Sequence, residues 1–188
     1  MYRASQRGDV QTVRRLQKNL AQSWSAKLIA VRRVTQDNKG RATAGVDGVK
    51  SLTPPARLVL AKNLKLDGKS SPTRSVWIPK PGKPEKRGLS IPTIEERAKQ
   101  TLLKMALYPE WEARFESESY GFRPGRYCHD AIAAIRTCIA QKQKYVLAAD
   151  ICRFFDKINQ AKLLEKLKNF PRVERQIKAW IKWSNRLE

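Results

Sequence analysis

Ser75-Val-Trp-Ile-Pro-Lys80-Pro-Gly-Lys83-Pro-Glu-Lys86-Arg87-Gly-Leu-Ser-Ile91 is the stretch that separates an α+β chain from an all-helical one. Its prolines forbid a continuous helix, because each removes a backbone N–H and clashes with the preceding turn. The flanking pieces, 75–78 and 87–91, read as short and extended, and they predict an antiparallel hairpin with residues 82–86 as an exposed basic tip. Outward from this hairpin the pattern turns helical. Residues 94–116 predict a helix with Leu102, Leu103, Ala106 and Leu107 inward, and 54–65 predict a shorter one before the hairpin. Further towards the N-terminus, Val10, Val13, Leu16, Leu20, Trp24, Leu28 and Val31 recur at steps of three and four and predict a helix over 8–33. Glycines and Asp47-Gly48 make 35–50 a region of loops and turns. Beyond the central helix, 129–141 predict another with Ile132, Ile135 and Ile139 inward. The apolar run Tyr145-Val-Leu-Ala-Ala-Asp150-Ile151 reads as a buried strand, and short helices follow at 160–169 and 172–184. The fold class is α+β: helices packed on a small sheet.

Thirty-nine Lys and Arg face seventeen Asp and Glu, a formal charge of +22 over 188 residues. Self-repulsion of that size costs the folded state stability, and a polyanionic partner offsets it through counterion release. RNA or DNA is the first candidate and an anionic membrane the second. No run reaches the roughly 18 apolar residues a membrane span requires, and no secretory signal pattern is present. The basic residues are spread along the chain, which favours a folded basic surface over a basic tail. Cys128, Cys138 and Cys152 fit neither a zinc site nor a disulfide framework; they are expected to be small buried apolar residues in a reducing, cytosolic chain.

Three segments hold candidate chemistry. In Tyr145 to Ile158, Asp150 ends an apolar run, where an unpaired carboxylate is costly to ionise. It is either a hydrogen-bonded turn residue or a ligand of a hard cation such as Mg²⁺. Asp156 stands where a helix begins and suits a cap. Around the hairpin, Lys80, Lys83, Lys86 and Arg87 sit in a Pro-stiffened loop suited to phosphate contacts, or simply form a solubilising tip. Ser119-Tyr-Gly-Phe-Arg123-Pro-Gly-Arg126 interleaves aromatics with arginines around two glycines. That composition suits base stacking, or a loop anchored by buried aromatics with Arg123 paired to an acid. On the N-terminal helix, Arg32 and Arg33 belong either to a solvated face or to a polyanion contact. The single histidine, His129, lacks a partner of its kind for a metal site.

Taken together and in order, these segments resemble the reverse transcriptases encoded by bacterial and organellar group II introns. The resemblance spans essentially the whole chain. It implies an RNA-binding N-terminal extension at 1–50, helix-rich polymerase fingers at 51–144 and the beginning of the palm at 145–188. It implies that Asp150, with the backbone carbonyl of Ile151, contributes to a site for two Mg²⁺ ions that supports attack of a primer 3′-hydroxyl on a nucleotide α-phosphate. It further implies that Lys80 and Arg87 hold the incoming dNTP triphosphate and that Phe155 floors the sugar pocket. Arg123, Arg126, Lys83, Lys86, Arg32 and Arg33 fall to template or intron RNA, with a DNA primer as further partner. A bacterial cytoplasmic or an organellar location follows.

Departures from the family pattern are visible. Arg87-Gly88-Leu89-Ser90 replaces the usual Arg-Pro-Leu-Gly, Tyr127 replaces a small residue, and Ala148 stands where another Asp is common. The Tyr-x-Asp-Asp turn that supplies further carboxylates does not occur, so the 188 residues are expected to be inactive alone. Two other classes compete: a non-catalytic RNA-binding or maturase module, natural or decayed, and a basic structural protein of the ribosomal kind.

Overall fold

The structure, a computed structural model, describes residues 1–82, 84–140, 143–152 and 154–184, apart from the side chains of Phe155, Asp156, Trp183 and Ser184. Lys83 therefore lies outside the described residues, as does the side chain of Phe155.

Helix ends are set by side chains that accept otherwise orphaned backbone N–H groups. Asp9 caps α2 (Val10–Gln22) through Thr12 N at 3.0 Å. Ser23 ends α2 in an extended conformation and caps α3 (Trp24–Arg32) through Ala26 N. The single helix expected over 8–33 is thus two, preceded by the short α1 (Tyr2–Gln6). Thr53 caps α4 (Pro54–Asn63), with Pro54 at the first helical position. Thr93 caps α5 (Ile94–Glu112), whose first turn carries Glu95 and Glu96 against the positive end of the helix dipole. Beyond α3 the chain makes a π-turn at Arg33–Asp37 and a 3₁₀ turn at Lys39–Ala42.

Strands β1 (Arg74–Pro79) and β2 (Lys86–Ile91) form the expected antiparallel hairpin, with Trp77 opposite Gly88 and Ile78 opposite Arg87. Helix α5 is the spine of the molecule. Leu102 and Ala98 face a cluster with Ala26, Ala30, Val31, Ala61 and Leu64 from α3, α4 and the turn after α4. The neighbouring Leu103 faces a second cluster with Leu66 and Val173, and Phe170, Ile177 and Trp180 pack around it. That second cluster brings α9 (Pro171–Ser184) onto α5; α8 (Gln160–Leu167) precedes α9. Helices α3 and α4 therefore pack on α5 through the first cluster and α9 through the second.

Four further expectations are corrected. Residues 145–151 form no strand, and Tyr145, Val146 and Leu147 are exposed. A strand satisfies its backbone only beside a neighbour, and the described residues offer this segment none. Ile132, Ile135 and Ile139 lie on α6 (Cys128–Ile139) but are exposed, because no described element covers that face. All three cysteines are likewise exposed, since two sit on α6 and one follows the uncovered run. The central helix stops at Glu112 instead of reaching 116.

Gly45 locks the loop after the 3₁₀ turn against the start of α5. A Cβ there would lie 2.7 Å from Thr93 Cα and 3.0 Å from Pro92 C, both backbone atoms that cannot swing aside. Gly45→Ala is expected to destabilise the fold by about 1–3 kcal/mol, read in a urea melt, as overpacking against a fixed backbone does.

Candidate nucleic-acid interface

The alternation of the hairpin decides which cations act together. Arg87 pairs with Ile78, and Val76 with Leu89, on one face. Lys80 follows at the same parity as Ile78, and its N–H donates to Glu85 O at 3.0 Å, so it shares the face of Arg87. Its ammonium donates to Glu85 Oε2 at 2.7 Å across the tip. Lys86 lies on the opposite face with Trp77, whose indole lies against Gly88. A Cβ at Gly88 would sit 3.5 Å from that ring, an ordinary contact, so the ring does not itself require glycine there.

The loop between α5 and α6 is built around Arg123. Only 8% exposed, this arginine donates from Nε and Nη2 to the Glu112 carboxylate at 3.1 and 2.5 Å. Its Nη1 donates to the carbonyls of Glu116 and Ser119, and the guanidinium lies 5.6 Å from the Phe115 ring centre. The hydrogen bonds from Arg123 hold the Glu112 carboxyl below the ordinary range and raise Arg123. Arg123 is thus committed to an acid within the chain. Arg126 is half-buried, its guanidinium 5.5 Å over the Tyr120 ring.

Asp150 and Ile151 are exposed, just before the short α7 (Phe154–Lys157). Among the described residues no group of three or more His, Cys, Asp or Glu side chains is placed to hold a metal. One exposed carboxylate does not make a two-ion site, so the described residues do not by themselves fit a pair of Mg²⁺ ions.

A continuous groove runs along α5, and it contains residues that the sequence motifs do not mark. One part, about 730 Å³, lies between the base of the hairpin (Thr73, Ser90) and Arg97, Gln100, Thr101 and Lys104. The other, about 660 Å³, carries on past Arg33, Asp37 and Lys104 to Tyr108 and Pro124. Val34, Asn38, Thr101 and Lys104 line both. The π-turn forms one wall and swings Arg33 into it, while Arg32 points to another groove beside Pro54 and Arg57 and pairs loosely with Asp37 at 3.6 Å. Arg97 braces the wall by donating to the carbonyls of Gly40 and Thr43 at 2.9 and 2.7 Å. Burial lowers its pKa, with the charge of Asp47 acting against the shift. Lys104 is exposed within the groove. The signal in the sequence is the spacing Arg97, Thr101, Lys104, Tyr108, a polar stripe at helical steps on the back of an apolar face.

Not every cation is available for a ligand. Lys99 is buried, which disfavours its charge, yet Glu96 and Glu95 more than offset this and hold its pKa above the ordinary value. Arg14 is held by buried Glu110 at 2.6 Å.

Residues 1–64 match the N-terminal domain of reverse transcriptase, and residues 78–188 match reverse transcriptase (RNA-dependent DNA polymerase). The chain is 34% identical to Protein YkfC of Escherichia coli (strain K12) over 143 residues, 71% of this chain and 37% of that protein. It is 31% identical to the group II intron-encoded protein LtrA of Lactococcus lactis subsp. cremoris, covering 68% of this chain and 22% of the relative. It is 32% identical to Maturase-like protein 1 of Euglena gracilis, covering 65% and 27%. The matches thus span between about a fifth and two fifths of these relatives' lengths. No helix among the described residues is long and apolar enough to cross a membrane. Both halves of the chain and its relatives lead to one assignment: the chain belongs to the reverse transcriptase family, among the group II intron-encoded proteins and maturases.

Proposed function

We propose that the chain is the RNA-handling front of an RNA-directed DNA polymerase of the group II intron type. In this reading 1–50 is an RNA-binding extension, 51–144 the fingers and 145–188 the start of the palm. The observation that carries it is the shared hairpin face of Lys80 and Arg87. Two cations at fixed separation on a paired backbone suit a triphosphate better than the same charges on a loose loop. Arg33, Arg32, Arg126, Lys83 and Lys86 serve template or intron RNA, the DNA primer lies beside it, and Phe155 meets the nucleotide sugar. Asp150, with the Ile151 carbonyl, is one ligand toward Mg²⁺, and further carboxylates complete the site.

Primer extension on an RNA template with dNTPs tests the reading. The 188 residues alone are expected to make no DNA. In a protein that also carries the further carboxylates, Asp150→Ala is expected to abolish synthesis, and Lys80→Ala and Arg87→Ala to raise the KM for dNTP. Robust synthesis by the 188 residues alone would contradict the reading. A second reading, a maturase-type RNA-binding module without catalysis, takes its cue from the similarity to Maturase-like protein 1 of Euglena gracilis. Unchanged activity in Asp150→Ala would select it.

A further inference from the structure

Phe122 is 95% exposed and sits at φ 59°. Left-handed backbone is uncommon outside glycine and Asn, and an aromatic residue held there is strained. Phe122 thus carries two costs, a strained backbone and a ring in water, and its exposure leaves almost no packing within the described chain to offset them.

The loop that presents it is firmly held. Arg123 makes four hydrogen bonds, two to the Glu112 carboxylate and one each to the carbonyls of Glu116 and Ser119. The turn is closed by Arg126 N donating to Arg123 O at 3.2 Å. Two residues beyond Phe122, Pro124 lines the end of the groove whose walls carry Arg33, Lys104 and Tyr108. A displayed aromatic at the end of a groove lined with cations is the arrangement that binds single-stranded nucleic acid: charge tracks the backbone and the ring stacks on a base.

We propose that Phe122 is a stacking platform for an unpaired base of an RNA strand lying in this groove, and that Arg123, clamped by Glu112, is the positioning residue that holds it there. The inference rests on the RNA-binding reading above and reassigns Arg123 from contact to support. The two roles of Arg123 differ in sign. If its guanidinium touched RNA, Glu112→Ala would free it, remove a negative charge and tighten binding. If it positions the loop, Glu112→Ala weakens the stacking although the net charge becomes more positive.

The test uses the 188-residue chain and single-stranded RNA 15-mers with 2-aminopurine at successive positions, whose fluorescence is quenched on stacking. The wild-type chain is expected to change the fluorescence at one or two adjacent positions. Phe122→Leu removes the change and weakens binding about tenfold, the scale of one base–aromatic stack. Phe122→Tyr retains it. Glu112→Ala and Arg123→Ala both lose the signal while circular dichroism shows the helices intact. Phe122→Leu, at an exposed position, keeps the test decisive if either clamp variant misfolds. An unchanged signal in Phe122→Leu, or tighter binding with the signal kept in Glu112→Ala, overturns the inference; in the first case the ring serves a protein surface instead. RNA binding without any fluorescence change overturns the inference alone. A wild-type chain that fails to bind RNA at low salt overturns the RNA-binding reading, and the inference with it.

Discussion

Glu110→Ala is expected to destabilise the fold by about 3–5 kcal/mol, the scale for breaking a buried charge pair by removing one partner. The Glu110 side chain is 1% exposed. It accepts from Arg14 Nη1 at 2.6 Å, from Gln17 Nε2 at 2.7 Å and from Arg114 Nη2 at 2.9 Å. Arg114 is half exposed and keeps water as an alternative, so its share is small. Gln17 is fully buried and Arg14 mostly so; Arg14 keeps Gln17 Oε1 and Lys168 O as acceptors, whereas Gln17 Nε2 loses the carboxylate it donates to. The same two side chains reach the C-terminal part: Arg14 Nη2 donates to Lys168 O, and Gln17 accepts from Asn169 Nδ2. Loss of Glu110 therefore loosens α2, α5 and the turn before α9 together. Glu110→Gln keeps an acceptor and is expected to cost about 1–2 kcal/mol, the difference between charge-assisted and neutral hydrogen bonds. Urea melts of the two variants check the order.

RNA affinity is expected to fall steeply with salt. The +22 charge is too large to be balanced within the chain, and the buried pairs of Arg14, Lys99 and Arg123 use few of the cations. If about six phosphates of a single strand are neutralised, raising salt from 50 to 200 mM weakens binding roughly three hundredfold. Anisotropy titrations of a labelled RNA across that range check it. A basic structural protein shares the salt slope but gains nothing from intron RNA over random RNA, so a competition between the two separates the readings.

The hairpin was legible because the short extended pieces and the Pro–Gly tip are local signals; which cations share a face emerges only from the register. Helix α5 was legible for the same kind of reason. The break at Ser23 was not, because the apolar positions resume in phase at Trp24 and Leu28 and hide it. Amphipathic pattern told that α6 and residues 145–151 have apolar faces, but pattern does not say what covers a face; here the described residues cover neither. Gln17, Glu96, Glu110 and Gln176 are of residue types usually exposed, yet all are buried, each satisfied by partners distant in sequence. The candidate site divides along the same line. Residue types and order pointed to phosphate and base contacts. The commitment of Arg123 to Glu112, and the groove joining Arg33 to Lys104, exist only once the loop and the π-turn fold back on α5.

The salt dependence of RNA binding by an Arg33→Ala/Lys104→Ala variant tests most directly whether this face carries the nucleic acid. Both side chains are exposed in the groove, so the fold is expected to survive. Weaker binding is expected, with a log–log salt slope shallower by about 1.4, that is about 0.7 for each single-strand phosphate no longer neutralised. Affinity and slope equal to those of the wild-type chain would place the RNA elsewhere and contradict a role for this face.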